Sequence, residues 1–569
     1  MAKQDISIED LVGKINREEI VLPEMQRRYV WTSTKVRDLL DSLYRKYPSG
    51  TILVWETEGT GISRNLDVHQ EKSALSTKLL LLDGQQRLTS LTALLTGNPV
   101  KVKNSKKPID IMFNLDHPED ISEVEDEVDD DEYSEDENER DETSDEEIDE
   151  LESDEIQDYL RKMTFVVFSR ALEGNKKWVR VTDIFQKSDN QILKNIGINS
   201  DNPLWDKYSE RLQRVRNIKQ YSYVMHILGK DYDYNEVTEI FVRVNSSGVK
   251  LRSSDLALAQ ITAKWHGSLE IFESFAGEAK EYGFDLDVAH IVRAMVIFAT
   301  EQSRFKTVTS LPLEKLKAAW EETKPGINFA LTFLKNNTLI EDLSQLSSSF
   351  IILPIAVLSS LRDERITKME QDQLIKWIYS AHAFGHYSKG SSESILDADI
   401  STLMKRSGSV SDLLEILERQ FGRMLFNVGD IKGKGKRSPL FAMAYLAVKK
   451  NSGKDWITGI VINKGTKGKS HKIEFHHIFP KKLLQEYGYD TSEINEIANM
   501  AFIGGRTNRR ISAKNPEEYL AEIVDKMGEE ALISQFVPLD RSLWKIENYR
   551  DFLIARRELL INRINEFLK

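Results

Sequence analysis

The chain has 569 residues, 40% of them apolar, with nine Trp, 23 Phe and no cysteine. That length predicts two to four domains with packed cores, and the missing thiols exclude disulfides, thiolate zinc sites and a cysteine nucleophile. The net charge is −13, but residues 119–155 hold 24 carboxylates against one basic residue, Arg140; this block carries −23 and leaves +10 on the remainder. A basic body with a separable acidic block is compatible with a nucleic-acid partner. No apolar run reaches the length of about 18 residues needed to span a membrane. The start, Met1-Ala2-Lys3-Gln4-Asp5, lacks the basic-then-apolar layout of a signal peptide, so a cytoplasmic protein is expected.

Residues 1–116 predict a mixed α/β unit. Val36, Leu39, Leu40, Leu43, Tyr44 and Tyr47 recur at helical spacing, and Pro48-Ser49-Gly50 ends the run. Thr51-Ile52-Leu53-Val54-Trp55 is a strand candidate. Leu79-Leu80-Leu81-Leu82 is a short buried strand running into Asp83-Gly84, after which Leu88, Leu91, Leu94 and Leu95 line one side of a helix. Residues 117–157 form an acidic low-complexity insertion, which self-repels and has no core to bury; disorder is expected there. Beyond a solvated loop, such a block can act as a DNA mimic on a basic surface.

Phe165-Val166-Val167-Phe168 and Trp178-Val179-Arg180-Val181 continue the strands, and residues 205–230 predict helix. Phe241 to Gly248 reads as an apolar segment entering a turn, and Ser253-Ser254-Asp255 supplies cap chemistry for a helix through Ala263. Residues 265–425 are mostly helical by pattern, without a chemical motif. Residues 432–482 hold 13 Lys or Arg against two acidic residues. Within them Gly468-Lys469-Ser470 resembles the end of a P-loop, but Asn463 stands where the earlier glycine is required, so that site is rejected. Residues 545–568 predict an amphipathic terminal helix.

Two segments carry chemistry. Glu474-Phe475-His476-His477-Ile478-Phe479-Pro480 is followed by Asn499, the apolar Met500-Ala501-Phe502-Ile503, and Asn508. Hydrolysis of a phosphodiester needs an activated water, a divalent ion against the phosphate, and stabilisation of the departing oxygen. An imidazole near neutral pKa suits the first task. Upstream, Asp83-Gly84-Gln85-Gln86-Arg87 lies between a strand and a helix start, where backbone N–H groups and the dipole favour phosphate. Gly84 permits close backbone approach and Arg87 offers a fork for phosphate oxygens.

At the first segment the chain resembles the HNH (ββα-metal) nucleases, most of all the His-Ile-x-Pro form at the C-terminus of GmrSD-like restriction enzymes. The resemblance implies His477 as general base, His476 and Asn508 as ligands of Mg²⁺ or Mn²⁺, and Asn499 as a brace for the loop carrying the base. Arg506, Arg509, Arg510 and Lys514 flank the same helix and would meet DNA phosphates. The ordered set Pro23, Gln26-Arg27-Arg28-Tyr29-Val30-Trp31, Asp83–Arg87, Asn245-Ser246-Ser247-Gly248-Val249-Lys250-Leu251 and Asp255 resembles the ParB/sulfiredoxin-like DGQQR domain of type IV restriction enzymes. That likeness implies a bound and hydrolysed nucleoside triphosphate (GTP, ATP, CTP or UTP) at Asp83, Gly84, Gln85, Gln86 and Arg87, with Gln26 and Arg27 in the same pocket. Tyr29 and Trp31 read equally well as core.

The fold class expected is therefore multidomain α+β. A ParB/sulfiredoxin-like α/β domain spans 1–264, a helical region 265–425, and a mainly helical domain with a ββα-metal site 426–569. The function implied is an NTP-regulated, modification-dependent DNA endonuclease or nickase of anti-phage defence, acting on modified phage DNA. A nucleotide-gated DNA-binding regulator and an RNase or toxic nuclease stay open, as does a homo-oligomer.

Overall fold

The computed structural model describes residues 2–23, 29, 31–57, 63–64, 78–98, 109–118, 162–168, 172, 175–232, 236–237, 239–241, 253–363, 365–388, 391–405, 408–462 and 473–569. Gln26, Arg27, nearly all of the acidic block, Asn245 to Leu251 and Gly468-Lys469-Ser470 lie outside the described residues. The chain divides into two compact units, Met1–Leu269 and Glu270–Lys569. It is mixed α/β, with the larger sheet in the first unit and a predominantly helical second unit. No helix among the described residues is long and apolar enough to cross a membrane.

The first unit is built on a six-stranded mixed sheet. Its strands are β1 (Ala2–Ser7), β2 (Ile20–Pro23), β3 (Ile52–Thr57), β4 (Ser63–Arg64), β5 (Lys78–Asp83) and, after the small-sheet strands β6 (Ile111–Asn114), β7 (Phe165–Val167) and β8 (Trp178–Arg180), β9 (Ser222–Leu228). The order is β1-β9-β3-β5-β2-β4, with β9–β3 and β5–β2 parallel and the other pairs antiparallel. The leucine run of β5 explains its central place. Leu81 faces the main core while Leu80 and Leu82 face a second cluster with Trp55, Leu228 and Phe241. A strand covered on both faces needs apolar side chains at successive positions.

Helices α1 (Ile8–Asn16), α2 (Ser33–Tyr44) and α3 (Gln85–Thr96) supply the main core. In α2, Val36, Leu39, Leu40, Leu43 and Tyr44 are buried as their spacing predicts, and the Thr32 hydroxyl accepts from Lys35 N. Tyr47, expected on that face, lies beyond the helix end and is 54% exposed.

Two further expectations are corrected. Residues 205–230 are not one helix: α4 (Trp205–Arg216) ends before β9, whose Tyr223, Met225 and Leu228 are buried while Val224 is exposed. The alternation in Tyr223-Val224-Met225 was masked by the helical pattern before it. The acidic insertion also begins later than residue 117, because His117 is buried against α2. Its Nδ1–H donates to Pro118 O at 2.7 Å, so Nε2 accepts the Tyr44 hydroxyl at 2.9 Å.

In the second unit, α5 (Leu313–Asn337) and α6 (Ile352–Leu361) pack closely, with Gly326 lying against the Ala356 backbone. Towards the C-terminus come α7 (Pro439–Lys450), β10 (Ile473–His477), β11 (Met500–Gly504), α8 (Gly505–Ile511), α9 (Pro516–Met527) and the terminal α10 (Tyr549–Leu568). Trp456, Ile478, Phe479, Tyr519, Trp544, Tyr549 and Phe552 form the core beneath β10 and β11.

Burial pulls the His117 imidazole down to about 4 from its ordinary 6.5, outweighing the Pro118 hydrogen bond. The folded state therefore binds this proton less readily than the unfolded state. The stabilisation is fully present above about pH 6.5 and is lost as the pH falls towards 4. Urea unfolding of the chain across this window should show stability falling with pH, and His117→Gln should reduce the slope; an unchanged slope would contradict the burial of a neutral imidazole here.

Candidate functional sites

The C-terminal site is a two-stranded ribbon with a helix behind it. β10 and β11 pair antiparallel with His476 opposite Ala501 and His477 opposite Met500, and α8 follows β11 directly. Successive residues of a strand face opposite sides, so the two imidazoles part. His476 is buried and its Nδ1 lies 2.8 Å from Asn508 Oδ1 on α8. His477 is half-buried, with Nε2 at 3.1 Å from Asn495 Oδ1. An amide oxygen only accepts, so Nε2 carries the proton and Nδ1 of His477 holds the lone pair.

His476 packs edge-on against Trp456 and Tyr519, and burial, ahead of the Asn508 hydrogen bond, pulls its pKa down to about 4. It is neutral at pH 7, and its Nε2 is buried with no hydrogen-bond partner among the described residues. The Asn508 amide oxygen only accepts, so Nδ1 of His476 carries the proton here and the ring's lone pair sits on the buried Nε2. Among the described residues no group of three or more His, Asp or Glu converges to hold an ion. An ion at Asn508 Oδ1 and His476 Nδ1 would therefore need the ring proton moved to Nε2, and would take its remaining ligands from water and phosphate oxygens, as Mg²⁺ does.

Asn499 is fully buried and joins three segments. Its Oδ1 accepts Phe479 N at 2.8 Å, and its Nδ2 donates to Phe479 O and Ile494 O. It therefore ties the residues after His477 to the loop before β11. Arg506, Arg509, Arg510 and Lys514 are all exposed on or just beyond α8, with no ion pair among the described residues.

Several residues here escaped the sequence reading. Asp455 accepts from Gly504 N at 2.8 Å and Thr507 Oγ1 at 2.7 Å, so it holds the start of α8. Burial pushes its carboxyl up, but hydrogen bonds from Thr458, Gly504 and Thr507 hold it below the usual range. The Asp455-x-x-Thr458 spacing, an Asx turn, was the available signal. Arg556 on α10 donates to Ala498 O and Gln535 O, and Arg557 makes a buried two-point ion pair with Glu496 at 2.5 and 2.7 Å. On a terminal amphipathic helix these arginines read as solvent-facing, and nothing local marks them otherwise.

The N-terminal segment is more committed than the sequence suggested. Gly84 caps α3 with φ +96° and, as a glycine, offers the helix start no side-chain cap. Asp83 pairs with Arg87 at 3.2 Å. Arg87 Nη1 donates to Ser49 O, and Nη2 donates to Thr51 O at 2.8 Å. The guanidinium also lies 5.7 Å from the Tyr223 ring centroid. The fork assigned to phosphate thus holds the 49–51 turn. Gln85 is buried, and Gln86 Oε1 accepts Trp31 N at 3.1 Å. Tyr29 is core, bonded to Ser90 at 2.8 Å, and Trp31 packs against the core.

A methyl at Gly84 would stand 2.5 Å from Ile52 Cδ1 in a left-handed conformation. Gly84→Ala should destabilise the first unit by about 1–3 kcal/mol, measured by urea titration; wild-type stability would show that the turn tolerates a side chain.

Comparison with known proteins bears on the first unit most directly. Residues 8–262 match the family described as "GmrSD restriction endonuclease, N-terminal domain", a stretch just short of half the chain. Over nearly the whole length the chain is similar to "Uncharacterized protein MJ0686" of Methanocaldococcus jannaschii, at 24% identity over 545 residues, covering 91% of this chain and 86% of that protein. The N-terminal unit is thus related in sequence to the N-terminal domain of a restriction-endonuclease family.

Proposed function

We propose that the chain is a metal-dependent endonuclease acting on DNA, with cutting by an HNH-type site at residues 473–511 and control by a nucleoside triphosphate at the N-terminal unit. The observation that carries the reading is the His476–Asn508 pair, set between a strand and the following helix with a neutral buried ring. The restriction-endonuclease match over residues 8–262 supports DNA as the substrate and an anti-phage role. Modified DNA is the substrate class that fits such a family.

His476 and Asn508 would hold Mg²⁺ or Mn²⁺, which supplies positive charge at the scissile phosphate and the departing 3′ oxygen. His477 Nδ1 takes the proton of the attacking water, while Asn495 fixes the opposite ring nitrogen. Asn499 keeps the residues after His477 from drifting. Arg506, Arg509, Arg510 and Lys514 hold DNA phosphates beside α8. In the first unit, nucleotide phosphates meet the α3 start at Gly84, Gln85 and Gln86. Arg87 and Asp83 act there by holding the Gly84 turn.

His477→Ala should lower plasmid cleavage by about 10²–10⁴-fold and leave triphosphate hydrolysis unchanged. Cleavage at the wild-type rate would remove His477 from the chemistry. Arg87→Ala should lower phosphate release from nucleoside triphosphates at least about tenfold, since it frees the turn at Gly84; unchanged turnover would place the nucleotide elsewhere.

A further inference from the structure

Residues 432–437, Lys-Gly-Lys-Gly-Lys-Arg, carry four positive charges in six positions. A basic stretch of this kind in a glycine-rich setting is expected to be a loose, solvated loop. Here it is built in. Gly433 N donates to the buried Glu496 carboxylate at 2.9 Å, and Ile497 N donates to Lys434 O at 2.8 Å. Gly435 packs on the carbonyl of Asn495, close enough that a Cβ would stand 3.0 Å from that oxygen. Glu496 is itself held by Arg557. The Lys436 ammonium lies 3.3 Å from the Phe475 ring centroid, on the strand face that Phe475 shares with His477.

The anchored backbone leaves the charges outward. Lys432, Lys434 and Arg437 are exposed and form no ion pair among the described residues. The loop's two anchors, Asn495 and Glu496, include the residue that holds His477 Nε2. A polyanion along this loop therefore bears on the element that orients the base.

We propose that residues 432–437 form a clamp for the phosphates of duplex DNA, fastened to the loop that positions His477. This rests on reading residues 473–511 as a nuclease site and adds a second phosphate-binding element to the α8 cations. Lys432, Lys434 and Arg437 bind; Gly435 is a positioning residue, because it sets how closely the clamp approaches Asn495.

The test uses the full-length chain carrying His477→Ala, with a fluorescein-labelled duplex of about 30 base pairs read by anisotropy across a KCl series. Each phosphate contact adds about 0.9 to the salt slope on duplex DNA. The triple substitution Lys432→Ala, Lys434→Ala and Arg437→Ala should lower affinity at least about tenfold near physiological salt and reduce the slope by about two to three. Equal affinity and slope would overturn the clamp, and a loss confined to duplex RNA would overturn DNA as its partner. With His477 intact, Gly435→Val should lower the cleavage rate more than it weakens binding, and an unchanged rate would overturn the link to Asn495. Binding is read without cutting, so the two claims separate. If the triple variant loses affinity but the wild-type chain cuts no DNA with any divalent ion, the nuclease reading fails and the clamp stands. If the wild type cuts while the triple variant binds normally, the reverse holds.

Discussion

A buried loop must find partners for its peptide groups, and the loop between β10 and β11 does so through the terminal helix. Ala498 O takes Arg556, Glu493 O takes the Tyr549 hydroxyl, and the Glu496 carboxylate takes both Arg557 and Gly433 N. Unpartnered, each such group costs about 1–3 kcal/mol, more for a charge. The cost of breaking this set keeps Asn495 and Asn499 at fixed positions, and through them the strand end that carries His477. Burial moves Arg556 down to about 9, still protonated at neutral pH. The site is thus assembled by residues from four separate stretches: 432–435, 454–458, 473–511 and 549–557.

The two units use the same device differently. In the second, buried arginines hold the loop behind the ribbon, while the cations of α8 and Lys432, Lys434 and Arg437 stay exposed. In the first, Arg87 is spent on the 49–51 turn, with Asp83 as counter-charge. A guanidinium that serves two carbonyls and a carboxylate is an anchor, and it sits close enough to Gly50 to leave no room for a side chain there. A Cβ on Gly50 would fall 2.2 Å from Arg87 Nη1.

Much of this was legible in the residue pattern. The leucine run of β5, the Gly84 turn and the apolar stripe of α2 announced themselves because local periodicity and turn chemistry agree with the fold there. The strand–loop–strand–helix arrangement around His476 and Asn508 also followed from the apolar runs beside each. What the pattern hid was long-range. β9 looked helical because its pairing partners, β1 and β3, lie far away in sequence. Asn495 and the arginines of α10 act through contacts 18 to 61 positions distant, which no local spacing reports; for Asp455 only its own turn with Thr458 is local, and its hold on Thr507 is not. The partner of His477 and the separation of the two imidazoles to opposite faces likewise needed the register of the ribbon.

The central claim is that His476 and Asn508 hold a divalent ion. Anomalous diffraction from crystals of the wild-type chain soaked in Mn²⁺ tests it directly. The account predicts a peak within about 2.3 Å of both His476 Nδ1 and Asn508 Oδ1, lost in Asn508→Ala crystals soaked alike. An intact His476–Asn508 hydrogen bond with no peak beside it, under Mn²⁺ conditions that support DNA cleavage, would contradict the claim.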